Sequence, residues 1–332
     1  MMPSRRYAAM IWGLSLVVLA VLVILDLMTG QAGLGIKEIA GALAGGLDES
    51  VPASVIVWKL RMPRIVTAII AGAGLAISGA QMQAVFRNSL ADPHILGVSA
   101  GAGTGVAAAT MLAGAAGLSG IGTTVAAASG AMLMALIIMG IASRVRKSSA
   151  LLIAGVMLGY ITGAVTSVIQ YQADESRLKA FWSWSAGSFS GNTWNEIGIM
   201  AVALAAGFIL SMLDNKRLSA LLFGDDYAAA SGINAERTRG FAMLSCCIVT
   251  GAVTAFCGPI GFIGIVAPHL ARMISGHSAM SIVLPLSLVS GAVMSITGDL
   301  LSQLFRTPIP VGCATALIGI PIIFLILSKS KA

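Results

Sequence analysis

Charge is what this chain has least of. Only 10% of its 332 residues are Asp, Glu, Lys or Arg, against roughly 25% in an ordinary soluble domain. Hydrophobic residues make up 57%. A soluble fold could not hide so much apolar surface, because even large domains keep much of their surface in water. Ordinary soluble classes are therefore excluded, and an integral membrane protein remains. Histidine is nearly absent. His94, His269 and His277 are dispersed, and two of them follow Pro at the ends of apolar runs. They read as helix-end structure ahead of metal or substrate contacts. The four cysteines (Cys246, Cys247, Cys257, Cys313) lie in or beside apolar segments with no ligand spacing. They read as small buried hydrophobes. There is no Gly-rich loop ending in Gly-Lys-Ser/Thr, so the chain is not expected to bind ATP itself. Nothing looks catalytic, and no directly bound cofactor or metal is expected. The net charge of +7 could suggest nucleic acid. The basic residues sit beside apolar spans, however, so the positive-inside bias of membrane proteins accounts for them.

What is abundant is apolar sequence in long runs, with 39 glycines among them. Runs near the length a helix needs to cross a bilayer cover 7–28, 64–85, 94–113, 119–142, 149–171, 194–213, 240–256, 260–275, 281–303 and 310–328. The expectation is an all-α, polytopic membrane protein of about ten transmembrane helices in a single domain over 1–332. Continuous runs point to helices, where a barrel would alternate. Pairs such as Gly72 and Gly74 point to close backbone packing. Gly258-Pro259 splits 240–275 in two, since Pro cannot continue a helical ladder. The first run follows Arg5-Arg6, is too long for a signal-peptide core and lacks a small-x-small cleavage site, so it reads as a retained helix. With the N-terminus inside, 13 of the 20 Lys and Arg residues fall on inner segments, which favours both termini in the cytoplasm. Asp92-Pro93-His94 faintly echoes Ala267-Pro268-His269. Spans two to five start outside and spans seven to ten start inside, so a repeat relating them would be inverted, as in many transporters.

Few polar residues interrupt the spans. Asp299 is the clearest, with Asp26 near the outer end of the first run. An acid at such a depth is either a proton carrier or a paired structural group, and the scarcity of polar partners favours the second. "LRMPR" puts Arg61 and Arg64 at the outer mouth, and Arg306 lies just past the ninth span. They are either ordinary loop charges or a basic rim for acids on a soluble partner. Between spans six and seven lies "FGDDYAAASGINAERTRGF" (223–241), too polar for the bilayer. Asp225 and Asp226 suit a helix N-terminus, Ala228 to Ala230 favour helix, and Gly232 breaks the run before "INAERTR". The expectation is two short helices joined at a Gly on the inner face, with a plain solvated loop as the alternative.

These segments together resemble the FecCD-type permeases, membrane subunits of bacterial ABC importers for iron–siderophore, haem and cobalamin. The resemblance runs over about 55–328. It is carried by "LRMPRIVTAIIAGAGLAISGAQMQAVFRNSLADPHILGVSAGAG", "LLIAGVMLG", "FGDDYAAASGI", "GPIGFIGIVAPHLAR" and "PIPVGCATALIGIPIIFLIL", in that order. It implies the type II ABC importer permease fold and a second permease subunit, giving a homodimer around a central pathway. It also implies two cytoplasmic ATPase subunits that bind the ATP and an extracytoplasmic substrate-binding protein. The inner-membrane location, alternating access and a metal-chelate cargo come with it: an iron chelate first, cobalamin as the alternative. In similar permeases the loop after helix six forms coupling helices that enter an ATPase cleft. The matching region is 222–237, with Gly224, Asp225, Asp226, Ala229 and Gly232. Arg61 and Arg64 match arginines that meet acids on the binding protein. Relatives often carry Arg where this chain has Gln303, and Arg306 lies one turn beyond. Helix five lines the pathway in such transporters. Ser148 and Ser149 match its inner gate, with Met157, Tyr160 and Thr162 further out; an N-cap role is an equal reading of the serines. A proton-coupled secondary transporter using Asp299 or Asp26 is the reading from another class.

Overall fold

The computed structural model describes residues 5–30, 32–112, 120–145, 147–305 and 307–329. Among them there are helices and no strands. In chain order these are α1 (Arg5–Met28), α2 (Ile36–Gly45), α3 (Pro52–Val55) and, through a π-helical stretch over Ile56–Arg61, α4 (Met62–Phe86). A 3₁₀ turn over Pro93–Leu96 leads to α5 (Val98–Leu112), α6 (Gly120–Ala142), α7 (Ser148–Tyr171), α8 (Glu175–Ser185) and α9 (Trp194–Leu213). Then come α10 (Asn215–Leu221), α11 (Asp225–Ala230), α12 (Ala235–Cys257), α13 (Ile263–Ser275), α14 (Met280–Gln303) and α15 (Val311–Lys329).

Each of the ten expected spans is a helix. Among the described residues, seven helical segments are long and apolar enough to cross a membrane, and Ile263–Ser275 and Val311–Leu325 are shorter apolar ones. The span expected over 94–113 is shorter because Gly97, at φ 76°, turns the chain before α5 begins. The span expected from 64 begins earlier. Pro52 starts a helical run that continues through the π stretch to Phe86. α2, α8 and α10 were not expected. Their runs are too short and too polar to register as spans. The two echoing Pro-His segments differ locally, since Pro93 opens a 3₁₀ turn whereas Pro268 lies inside α13.

α4 is the axis of the fold. Of the 25 residues of α4, 20 are buried, against 3 of the 24 in α7. Burial of a helix on all sides requires neighbours on all sides, and small residues admit them. A Cβ on Gly72 would overlap the Gly291 carbonyl of α14, and one on Gly79 would overlap the Gly264 carbonyl of α13. Backbones can meet this closely only where side chains are missing, which is how membrane helices gain packing without a hydrophobic driving force. Polar side chains fasten the same contacts: Ser295 Oγ donates to the Ala68 carbonyl at 2.6 Å, and Arg272 donates to Gln83 Oε1 at 2.6 Å. α7 lacks such a surround, and its outward face carries large apolar residues.

Candidate functional site

Two clusters of polar side chains lie at opposite ends of the spans. The first is at the end that the charge bias assigns to the outside. Arg64, in the first turn of α4, donates from Nε and Nη2 to the two oxygens of Asp299 in α14, both at 2.7 Å. Asp299 is fully buried. Gln303, one turn further along α14, donates from Nε2 to Asp26 Oδ1 at 2.7 Å and to Asp299 Oδ2 at 3.2 Å. Asp26 Oδ2 is buried with no partner. Arg61 is 8% exposed and turns inward, donating to the carbonyls of Leu27 and Ala32. A cavity of about 790 Å³ opens over this cluster, lined in part by Asp26, Lys59, Arg61, Arg64, Asn192 and Gln303.

Within this chain both guanidinium groups are held, Arg64 by the buried Asp299 and Arg61 by the carbonyls of Leu27 and the exposed Ala32. A cation leaves water only when such partners compensate it. The paired reading of Asp299 matches its two charge-assisted bonds. Arg306 lies outside the described residues.

The second cluster is at the inner end. α10 and α11 are two short helices joined through Gly224, whose φ of 115° suits a residue without a Cβ. α11 starts at Asp225, with Asp225 and Asp226 in its first turn, and ends before Gly232 at φ 74°. "INAERTR" does not form a separate short helix. Asn234 accepts from the Arg237 amide at 2.9 Å and caps α12, so the expected second helix is the start of that span. The companion of α11 is α10, upstream. Asp226 and Ala229 are exposed, while Gly224 is buried.

Ser148 opens α7, but it caps no amide. It is buried and accepts from Arg239 Nη1 at 2.7 Å. Arg239, one turn into α12, also reaches Asp225 Oδ2 at 3.3 Å. From sequence alone Arg239 is one more inner positive charge. The signal available was an arginine inside an apolar helix start, 14 residues from an acid. A cavity of about 540 Å³ lies here, lined by Arg87, Asn88, Lys147, Ser148, Ser149 and Asp225 among others. Ser149 is exposed at its edge. Further along α7, Met157 is 61% and Tyr160 77% exposed, and half-buried Thr162 bonds back to its own helix.

The histidines are held by the chain itself: His94 contacts Ser99 and the Ile260 carbonyl, and His269 the Ser89 carbonyl. No group of three or more His, Cys, Asp or Glu that could hold a metal occurs among the described residues.

The profile of the FecCD transport family matches residues 18–329. A protein named as a vitamin B12 import system permease, BtuC of Salmonella paratyphi A, is 34% identical over 98% of this chain and 97% of its own length. The protein named as the cobalamin import system permease BtuC of Halobacterium salinarum is 34% identical over 91% of this chain and 81% of its own. A solved structure, provisionally classed as a metal-chelate type ABC transporter in an inward-facing conformation, superposes with a TM-score of 0.85. It is 26% identical and covers 97% of this chain and 99% of that one. The PsaBC structure from Streptococcus pneumoniae, at 16% identity and a TM-score of 0.53, shares the fold.

Proposed function

From the premise that this chain belongs to the FecCD transport family, we propose that it carries a bulky metal chelate inward across the cytoplasmic membrane by alternating access. The chain is a multi-pass permease of the ABC importer type. It is not itself an enzyme, and ATP hydrolysis lies on a separate subunit. The cargo belongs to the proposal. Relatives named for cobalamin align over nearly the whole chain and support a corrinoid. The metal-chelate class of the similar structure equally suits a ferric siderophore or haem.

The observation that carries the proposal is the α10–α11 platform. Two short helices project from the inner end, with exposed Asp226, Tyr227 and Ala229 forming an outward face. Such a face suits a cleft on each of two ATPase subunits, with Gly224 and Gly232 as the bends that shape it. ATP binds on those subunits, and this chain holds no cofactor. α7, so little buried within one chain, would line the pathway against a second copy in a homodimer, with Met157 and Tyr160 toward the cargo and Ser148 and Ser149 at the inner gate. An apolar wall of this kind lets cargo leave, whereas strong sites would trap it. The outer cavity, with Arg64 at its floor, is the docking place for a substrate-binding protein. Both termini lie in the cytoplasm.

The test is uptake into proteoliposomes holding the permease, its cognate ATPase and its binding protein. Cyanocobalamin, haem and a ferric siderophore are offered separately. ATP-dependent accumulation of one of them is expected. Failure of all three rejects the chelate cargo.

A further inference from the structure

Arg239 lies in α12, outside the sequence stretches that carry the family resemblance. It is buried, with 6% of the residue's surface exposed. A buried cation needs acceptors, and removing one leaves an uncompensated charge. Both acceptors come from outside its own helix. The same nitrogen, Nη1, donates to Ser148 Oγ at 2.7 Å and to Asp225 Oδ2 at 3.3 Å. Ser148 is the first residue of α7, and Asp225 is the first residue of α11. One atom therefore ties the short helix on the membrane face to the start of the least buried span.

The surroundings suit movement. The tie borders the cavity of about 540 Å³, so α11 and α7 do not close-pack there. Across it, Arg87 ends α4 in a left-handed turn at φ 49°. A Cβ on Gly224 would lie 3.2 Å from Arg87 Nη1. Along the rest of α7 its ties run mainly to α5 and the 3₁₀ turn: Thr104 Oγ1 meets Thr166 Oγ1 at 2.8 Å and donates to the Thr162 carbonyl at 3.2 Å, and Gly155 lies against the Ile95 carbonyl. A short, charge-assisted contact at the end of a helix whose start borders a cavity can transmit a displacement that packing alone would not.

We propose that Arg239 is the positioning residue that makes α7 follow α11, so that a push on the short helix opens or closes the inner end of the pathway. This rests on the coupling reading of α10–α11, and the experiment separates the two.

The experiment uses the permease assembled with its ATPase in lipid nanodiscs, on a Cys313→Ser background. Spin labels go on Met273 of α13 with either Ala229 of α11 or Ile153 of α7, all exposed positions. Distances are read with and without ATP under non-hydrolysing conditions, so no cargo is needed. In the wild type, both Ala229 and Ile153 are expected to shift relative to Met273. In Arg239→Ala, Ala229 should still shift while Ile153 stays. Ser148→Ala should weaken the shift of Ile153 in the same way, and Arg239→Lys should restore much of it. Uptake per ATP hydrolysed should fall about tenfold in Arg239→Ala, within the usual range of coupling between sites. A purely structural arginine would lower the melting midpoint without separating the two movements. Equal shifts of Ile153 in wild type and Arg239→Ala overturn the proposal, as does a wild type in which only Ala229 moves. If neither label moves in the wild type, the coupling reading itself falls.

Discussion

Breaking the Arg64–Asp299 pair is a sharp test of the outer cluster. Asp299 is fully buried and takes two bonds of 2.7 Å from a guanidinium whose side chain is 20% exposed. Arg64→Met removes both and leaves a carboxylate in a water-poor site. Loss of one partner of a buried pair costs about 3–5 kcal/mol. The Gln303 amide still donates to Asp299 at 3.2 Å, and Arg64 keeps some contact with water, so the lower end, about 3 kcal/mol, is expected. Asp299→Leu strands a guanidinium that can turn toward the outer cavity, and should cost less, about 2 kcal/mol. The double variant removes both charges and should cost far less than the sum, leaving a coupling of about 2–3 kcal/mol. The assay is reversible unfolding of the purified permease in mixed micelles for wild type, both single variants and the double. Additive losses, or an Arg64→Met loss below about 0.5 kcal/mol, would refute the pairing argument.

The glycine contacts of α4 make a second test. Gly79→Ala places a methyl on the Gly264 carbonyl and should cost 1–3 kcal/mol or more, whereas Gly198→Ala, facing open space, should stay within about 0.5 kcal/mol in the same unfolding assay. Gln303→Arg offers a cation to the unpartnered Asp26 oxygen and should raise the melting midpoint, while Gln303→Leu should lower it. Gly232→Val forces a β-branched residue to φ 74°, at roughly 1–2 kcal/mol of local strain; ATP hydrolysis should persist while uptake falls. Burial raises the Asp214 carboxyl above its usual range, opposed by the Arg217 guanidinium. A carboxyl raised in the folded state costs stability while ionised, so stability should rise as pH falls through that folded pKa. Asp214→Asn should flatten that dependence in melting curves taken across the acid range.

The spans were legible because bilayer length and low charge leave a strong mark, and every run from 7–28 to 310–328 is a helix. The Asp-Asp start of α11 and the break at Gly232 were legible for the same reason, since both are local chemistry. Less legible was anything set by partners distant in sequence. The outer position of Arg61 and Arg64 was legible, but their acceptors were not, because sequence gives depth along a helix and not direction around it. The backbone carbonyls of Leu27 and Ala32 that capture Arg61 carry no residue signal at all. Gln303 looked like a mere departure from the pattern of relatives, yet it bridges Asp26 and Asp299, 277 and 4 residues away. Arg239 was hidden in a charge count, because its two acceptors lie 91 and 14 residues away. "INAERTR" misled because an Asn cap starts a short helix and a long one alike.

In the proposed cycle, ATP hydrolysed on a separate subunit drives a chelate through this chain by way of α10 and α11. The most direct measurement is cargo accumulation in proteoliposomes loaded with ATP, compared with liposomes given only a proton gradient, for wild type and for Asp225→Arg. ATP-dependent accumulation is expected in wild type, none from the proton gradient alone, and hydrolysis without accumulation in Asp225→Arg. Accumulation that follows the proton gradient in the absence of the ATPase, and is lost in Asp299→Asn, would contradict that cycle.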